Sequence, residues 1–497
     1  MKRDTLEKAL EHISDRHIAE AAQPKKRRFP IWIPSVAAIL ALVILIGVIA
    51  APFTSSQDPA WNGPMPPTRP TKPSINIPVA PEGYYQQYLA AAPQYPQMAP
   101  YPTEDDTGIS GYDAWWQSQK TQYNQPEGYA DSAEPFFSQI TASLLSGEEG
   151  QNMACSPVNV YMALAMLAEV TEGESRQQIL DALGADSIAA LRTQAGHVWN
   201  AHYCADNATT LTLANSLWLD QDLQYNDTTV QTLAKDYYAS VLQGQLGSEE
   251  MNEALRSWIN DQTGGLLQQQ AAGLEMDPQT IIALASTVYY RCKWDPESRF
   301  FEEGNTQGVF HSPQADWTVT FMNQTLDYGP YYWGEHYGAT YLHLEDGSRM
   351  WLILPDKGST PKTLLEEGII GQILNGRQEN KRIKVNLSLP KFDISTNLKL
   401  EDAMKTMGMV DVFSTKANFS GILPADTVNA GLSCASHATR VAIDEEGITA
   451  AAYTVMVDAG AAPPPKKEVD LVLDRPFLFL VESRDGLPLF AGIVNEP

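Results

Sequence analysis

At 497 residues, 43% of them hydrophobic, the chain is long enough for one large or two ordinary domains with a full core. Its net charge of −26 and pI of about 4.6 argue against a nucleic-acid partner and favour a soluble outer surface. The four cysteines, Cys155, Cys204, Cys292 and Cys434, show neither a CxxC nor a Cys/His metal spacing. They read as small buried hydrophobes with one bridge left open, and no metal or cofactor is expected.

From the N-terminus, Thr5 to Ala21 places Leu6, Leu10, Ile13 and His17 on one helical face of a solvated stub. The uncharged run 30–51 is long enough at helical rise to cross a bilayer. Lys25, Lys26, Arg27 and Arg28 precede it, so the positive-inside rule predicts a cytoplasmic tail over 1–29, a transmembrane helix over 30–51 and everything later outside the cell. The charge split agrees, with +3 over residues 1–28 and −29 over the rest. The competing reading is a secreted chain cut after a signal peptide near Val48–Ala50. The long leader with its acidic residues is atypical of one.

Residues 53–102 are dense in Pro, Gln, Tyr and Ala, a composition that favours extended polyproline segments over a core. With the mixed stretch that follows, 52–125 is predicted to be a spacer and 126–497 the globular domain. Within that domain Ser156-Pro157 starts a helix, with Ser as cap and Pro in the first turn. Thr171 and Glu174 have capping-box spacing ahead of a helix bearing Ile179, Leu180 and Leu183. Strand-like runs lie at 210–219, 281–290, 318–322, 340–344, 350–354, 383–389 and 438–443. Helices concentrate early and strands late, an α+β layout with long sheets.

The sequence has no GxSxG, GxxxxGK[ST], GxGxxG or HExxH motif, and its eight histidines are dispersed. No catalytic residue is assigned, and no enzyme activity is expected. The most informative stretch is Asp444 to Thr454, DEEGITAAAYT, followed by PFLFLVES and LFAGIVNEP. Three consecutive alanines suit a segment that must slip between neighbours. Val455, Met456 and Val457 prolong a strand-competent run that would be an aggregation hazard if left outside a sheet.

Over 126–497 the chain resembles the serpin family, in particular membrane-anchored bacterial serpins. The resemblance is carried in order by Asn152–Pro157, Ala163–Leu167, Asn215–Trp218, Leu284–Trp294, Leu389–Phe392, Met407–Phe413, Asn418–Ile422, Arg475–Phe479 and Leu489–Gly492. It implies a serpin fold, with helices around a large central mixed sheet plus smaller sheets and an exposed reactive loop. It also implies suicide inhibition of a target serine protease by a monomer: the protease attacks the loop, and the loop's hinge inserts as a new strand of the large sheet. The implied hinge is Glu445, Glu446, Gly447, Ile448, Thr449, Ala450, Ala451 and Ala452, so a charge introduced at Ala451 is expected to turn inhibitor into substrate. The implied sheet-opening latch comprises Ser156, Asn159, Ser286, His437 and Trp294.

Two departures stand out. Asn159 and Ser286 look exchanged relative to the family pattern, although either side chain could still satisfy His437. Ile448 stands where inhibitory members usually carry a small hydroxyl residue, and its bulk is expected to slow insertion. Counting from Glu445 places the reactive bond at Ala461–Ala462, while counting back from Pro476 lands nearer Pro465. The hinge count is preferred, because a bond followed by proline resists cleavage. Small residues there suit elastase-like or subtilisin-like proteases. The alternative is a non-inhibitory serpin acting as a surface-displayed binding or structural module, favoured by Ile448 and Pro463-Pro464-Pro465.

Overall fold

The computed structural model describes residues 65–68, 81–102, 109–147, 150–278, 280–375, 381–424, 432, 435–448 and 467–497. The tail 1–29, the run 30–51, Cys434, Thr449 to Ala452 and Ala461–Ala462 lie outside these. Among the described residues no helix is long and apolar enough to cross a membrane.

The site is built on one of two sheets among the described residues. Its strands in chain order are β1 (Leu89–Ala91), β2 (Thr210–Asp220), β3 (Ala239–Gly244), β4 (Ile282–Lys293), β5 (Phe392–Lys399), β6 (Ala435–Ile443) and β7 (Gly447–Ile448). In space they run β1-β3-β2-β4-β7-β6-β5, with the short pair Cys204–Ala205 off β2. β2 and β3 are parallel, as are β4 and β6. The other recorded pairs along that order are antiparallel.

Most of the second sheet is assembled from late chain. It runs from Glu468–Val472 through Lys381–Pro390, Asp316–Trp333, Tyr337–His343, Arg349–Pro355, Phe477–Glu482 and Pro488–Val494 to Met153–Cys155, with Thr306–His311 beside Asp316–Trp333. Its last long strands are buried along their whole length, which is why they read as continuous apolar runs and not as alternation.

Helix α1 (Pro157–Val170) is buried on every face, inside the main core. Ser156 caps it as its sequence predicts, with Oγ accepting the Asn159 N–H at 3.4 Å. The predicted capping box at Thr171 does not form. Thr171 ends α1, and its hydroxyl donates back to the Leu167 carbonyl at 2.9 Å, one turn earlier. The next helix, Gly173–Leu183, buries Ile179, Leu180 and Leu183 without a side-chain cap. Helix α2 (Glu249–Gln262) lies over a second apolar cluster containing Trp218, Leu242, Leu255, Trp258, Ala283 and Ala438.

The spacer assignment for 52–125 needs correction at its C-terminal end. Residues 81–102 and the helix Ile109–Tyr123 pack on the domain, with β1 pairing to β3. The polyproline-like composition concealed buried aromatic contacts: Tyr95 stacks on Trp199 at 5.3 Å between ring centroids.

Candidate functional site at the sheet seam

The centre of the first sheet is incompletely zipped. Among the described residues β4 and β6 pair directly only at Leu284–Ala435, Ala285–Ser436 and Ser286–His437. At the other end β7 sits between them: Gly447 pairs with Lys293, Ile448 with Cys292, and Ile448 also with Ile443. A strand between two strands sets them roughly 9–10 Å apart, twice the usual spacing. The sheet is therefore closed at one end of the seam and wedged by one strand's width at the other.

The wedge is held by a compact turn. Asp444 Oδ1 accepts the N–H groups of Glu446 at 2.9 Å and Gly447 at 3.2 Å, and Asp444 N–H donates to the Gly447 carbonyl at 3.1 Å. Gly447 has φ 154°, and a Cβ there would collide with the Cys292 carbonyl oxygen, so only glycine fits without a shift. Trp294, fully buried, grips the turn twice: its backbone N–H donates to the Glu446 carbonyl at 3.0 Å and its Nε1–H to the Asp444 carbonyl at 2.9 Å. Glu445 is buried and paired with Lys391 Nζ at 2.5 Å, and Asn305 Nδ2 donates to the same carboxylate oxygen. Burial raises the Glu445 pKa, but the Lys391 and Asn305 contacts outweigh it and hold the carboxyl below its ordinary value.

Ile448 is 2% exposed, on the face of Cys292 and Ile443. Its bulk, expected from sequence to hinder insertion, is already seated in the core.

At the closed end His437 is fully buried. Its Nε2 accepts the Ser156 backbone N–H at 2.9 Å, and the Thr439 hydroxyl lies 2.7 Å from the same nitrogen. An Nε2 that accepts a backbone N–H leaves the proton on Nδ1, which points to Ser286 Oγ at 3.4 Å. Burial lowers the His437 pKa to about 4. The structure thus links β4, β6 and the start of α1 through one neutral imidazole.

The sequence-derived latch is only partly assembled. Ser156, Ser286 and His437 come together, with Ser156 contributing its main chain. Asn159 is buried, but among the described residues its side-chain amide has no hydrogen-bond partner and does not reach His437. Trp294 belongs to the opposite end of β4, at the wedge. The missed member is Thr439. It lies two residues from His437 on one strand and so on the same face, a signal the sequence carries.

The serpin family profile, described as serine protease inhibitor, matches residues 132–497. The chain belongs to the serpin family. It is 29% identical over 355 residues to alpha-1-antiproteinase of Callosciurus caniceps, spanning 70% of this chain and 83% of that protein. It is 25% identical over 387 residues to neuroserpin of Homo sapiens, spanning 75% and 91%. The fold is similar to that of the native thermophilic serpin tengpin, with a TM-score of 0.67 at 24% identity over 75% of this chain and 95% of that one. The latent state of tengpin is similar too, at a TM-score of 0.62.

Proposed function

We propose that this serpin inhibits serine proteases by trapping them, with residues that follow Ile448 entering the β4–β6 seam. The carrying observation is the wedge: Gly447–Ile448 already occupies one strand position between β4 and β6. Carrying both β7 registers onward places Ala450 between Tyr290 and Val441, Ala452 between Val288 and Thr439, and Thr454 between Ser286 and His437. Both ladders converge on the same residues, so the slot is straight and in register. Ile448, Ala450, Ala452 and Thr454 then share the core face. Thr449 and Ala451 take the opposite face, beside the half-buried Arg291, Tyr289 and Arg440, and Tyr453 falls there between Thr287 and Ala438, which are buried. This revises the placement of the sensitive hinge position from Ala451 to Ala450 and Ala452. Complete entry must separate Ser286 from His437, which makes their link the latch.

In the proposed reaction the protease serine Oγ attacks the Ala461 carbonyl. The Ala461–Ala462 bond breaks, and the new Ala462 amine departs with the proton taken from the serine. Insertion then adds backbone pairs and buried apolar surface that the starting fold lacks, and it carries the acylated protease along. This chain supplies no acid–base group. The small side chains around the bond suit elastase-like or subtilisin-like enzymes. In this reading the inhibitory domain acts as a monomer outside the cell, tethered by 30–51; the run's length and its basic flank support the tether and its orientation.

Incubation with an elastase-like protease tests the reading. The expected result is an SDS-resistant 1:1 complex, with a C-terminal fragment beginning at Ala462 that separates on denaturation. Nicking of the loop without any complex, across several such enzymes, would instead support the non-inhibitory alternative.

A further inference from the structure

The seam must open beneath α2. That helix shares an apolar cluster with Trp218 and Leu242 on one side of the seam, and with Ala438 on the other. The chain just after α2 is also tied to the β6 side, because Arg440 Nη1–H donates to the Leu266 carbonyl at 3.0 Å. A helix fixed to both halves of a sheet opposes their separation.

On the β3 side α2 is held directly, with Trp258 Nε1–H donating to Ser240 Oγ at 3.1 Å, and from outside by residues 81–91. Ser257 Oγ donates to the Pro81 carbonyl at 2.8 Å, and the Gly83 N–H donates to Asp261 Oδ2 at 2.8 Å. Gln262 Nε2 donates to the Tyr85 hydroxyl at 3.5 Å. Tyr84, Tyr85, Tyr88 and Leu89 pack on the α2 cluster. The segment then becomes β1 and pairs antiparallel with the β3 edge, Leu89 opposite Leu242 and Ala91 opposite Val241. One stretch of eleven residues thus holds the helix and the sheet edge together.

We propose that residues 81–91 are a strap that slows opening of the seam by pinning α2 across it, preserving the uninserted, protease-competent form. The proposal rests on the insertion reading above. Releasing the strap lets α2 lift from the β2–β3 half, so β4 and β6 part without a protease, and the inhibitor is spent by self-insertion.

The test uses the full chain carrying Tyr85→Ser with Leu89→Ser, and separately Ser257→Ala, which removes one tie and leaves the packing in place. Freshly prepared, both are expected to trap an elastase-like protease with wild-type stoichiometry. Held warm without protease, the double variant is expected to lose trapping capacity roughly tenfold faster than wild type, with Ser257→Ala between them. The spent protein should melt above the fresh protein. Loss at the wild-type rate would overturn the strap, provided loop cleavage still raises the wild-type melting temperature. Faster loss to a product that melts lower would also overturn it, since the segment would then be a general stabiliser. If loop cleavage leaves the wild-type melting temperature unraised, the insertion reading itself fails.

Discussion

His437 shows how one side chain can set a pH limit on the closed sheet. Its Nε2 faces the Ser156 N–H donor, so a second proton there would set donor against donor in a dry site. The folded pKa of about 4 lies below the ordinary histidine value of 6.5. The unfolded chain therefore binds more protons between these values, and stability rises with pH across the window. The full contribution is present above pH 6.5 and is lost as pH falls through 4. The shift corresponds to at most about 3 kcal/mol. Denaturant unfolding of the uncleaved protein from pH 7 to 4 should show this loss, and His437→Gln should flatten it. An equally steep loss in the variant would exclude the imidazole as its origin. At this scale the sequence exposed His437 and Ser286 but not their third partner. The Asn159–Ser286 exchange looked like a conserved-function swap because both side chains donate and accept. Which of them reaches the ring depends on where α1 lies under the sheet, and that comes from packing over the whole core.

The strands of the seam were largely legible. The runs at 210–219 and 281–290 emerge as Thr210–Asp220 and Ile282–Lys293, because both strands are buried along most of their length and so read as short, largely apolar runs. Partial entry of Gly447–Ile448 was not legible, since it needs the spacing between two strands that are remote in sequence. Residues 81–91 were misread for a related reason. Pro, Gln and Tyr look like a spacer until Tyr84, Tyr85 and Tyr88 meet a helix about 170 residues later. The strand registers give the sharpest element-scale prediction. Ala450→Glu and Ala452→Glu place a charge on the core face of the entering strand, at a cost of several kcal/mol, order of magnitude about 3–5. Both should be cleaved by the protease without trapping it. Ala451→Glu falls beside Arg440 on the other face and should keep most of its trapping capacity. Stoichiometry of inhibition measured on the three variants decides this. Equal loss in all three would mean that the register does not continue past Ile448.

For the whole molecule, the proposed trapping makes incomplete pairing of the central sheet the working feature of the fold. An ordinary domain gains nothing when a surface loop is nicked, because the cut only releases chain entropy. On the proposed trapping mechanism the loop is kept from the seam by its tie at both ends, and cutting it would free the hinge side to enter. Residues 449–456 would then add a central strand, burying Ala450, Ala452 and Thr454 against Tyr290, Val288 and Ser286. Insertion requires that the gain from backbone pairing and apolar burial exceed the cost of breaking the three β4–β6 pairs and of ordering the entering residues. Thermal melting of the protein from residue 53 onward, before and after a single cut between Val457 and Pro465, tests this most directly. The account predicts a sharp rise in the midpoint after cleavage. An unchanged or lower midpoint would contradict insertion and leave a serpin fold without the trapping mechanism.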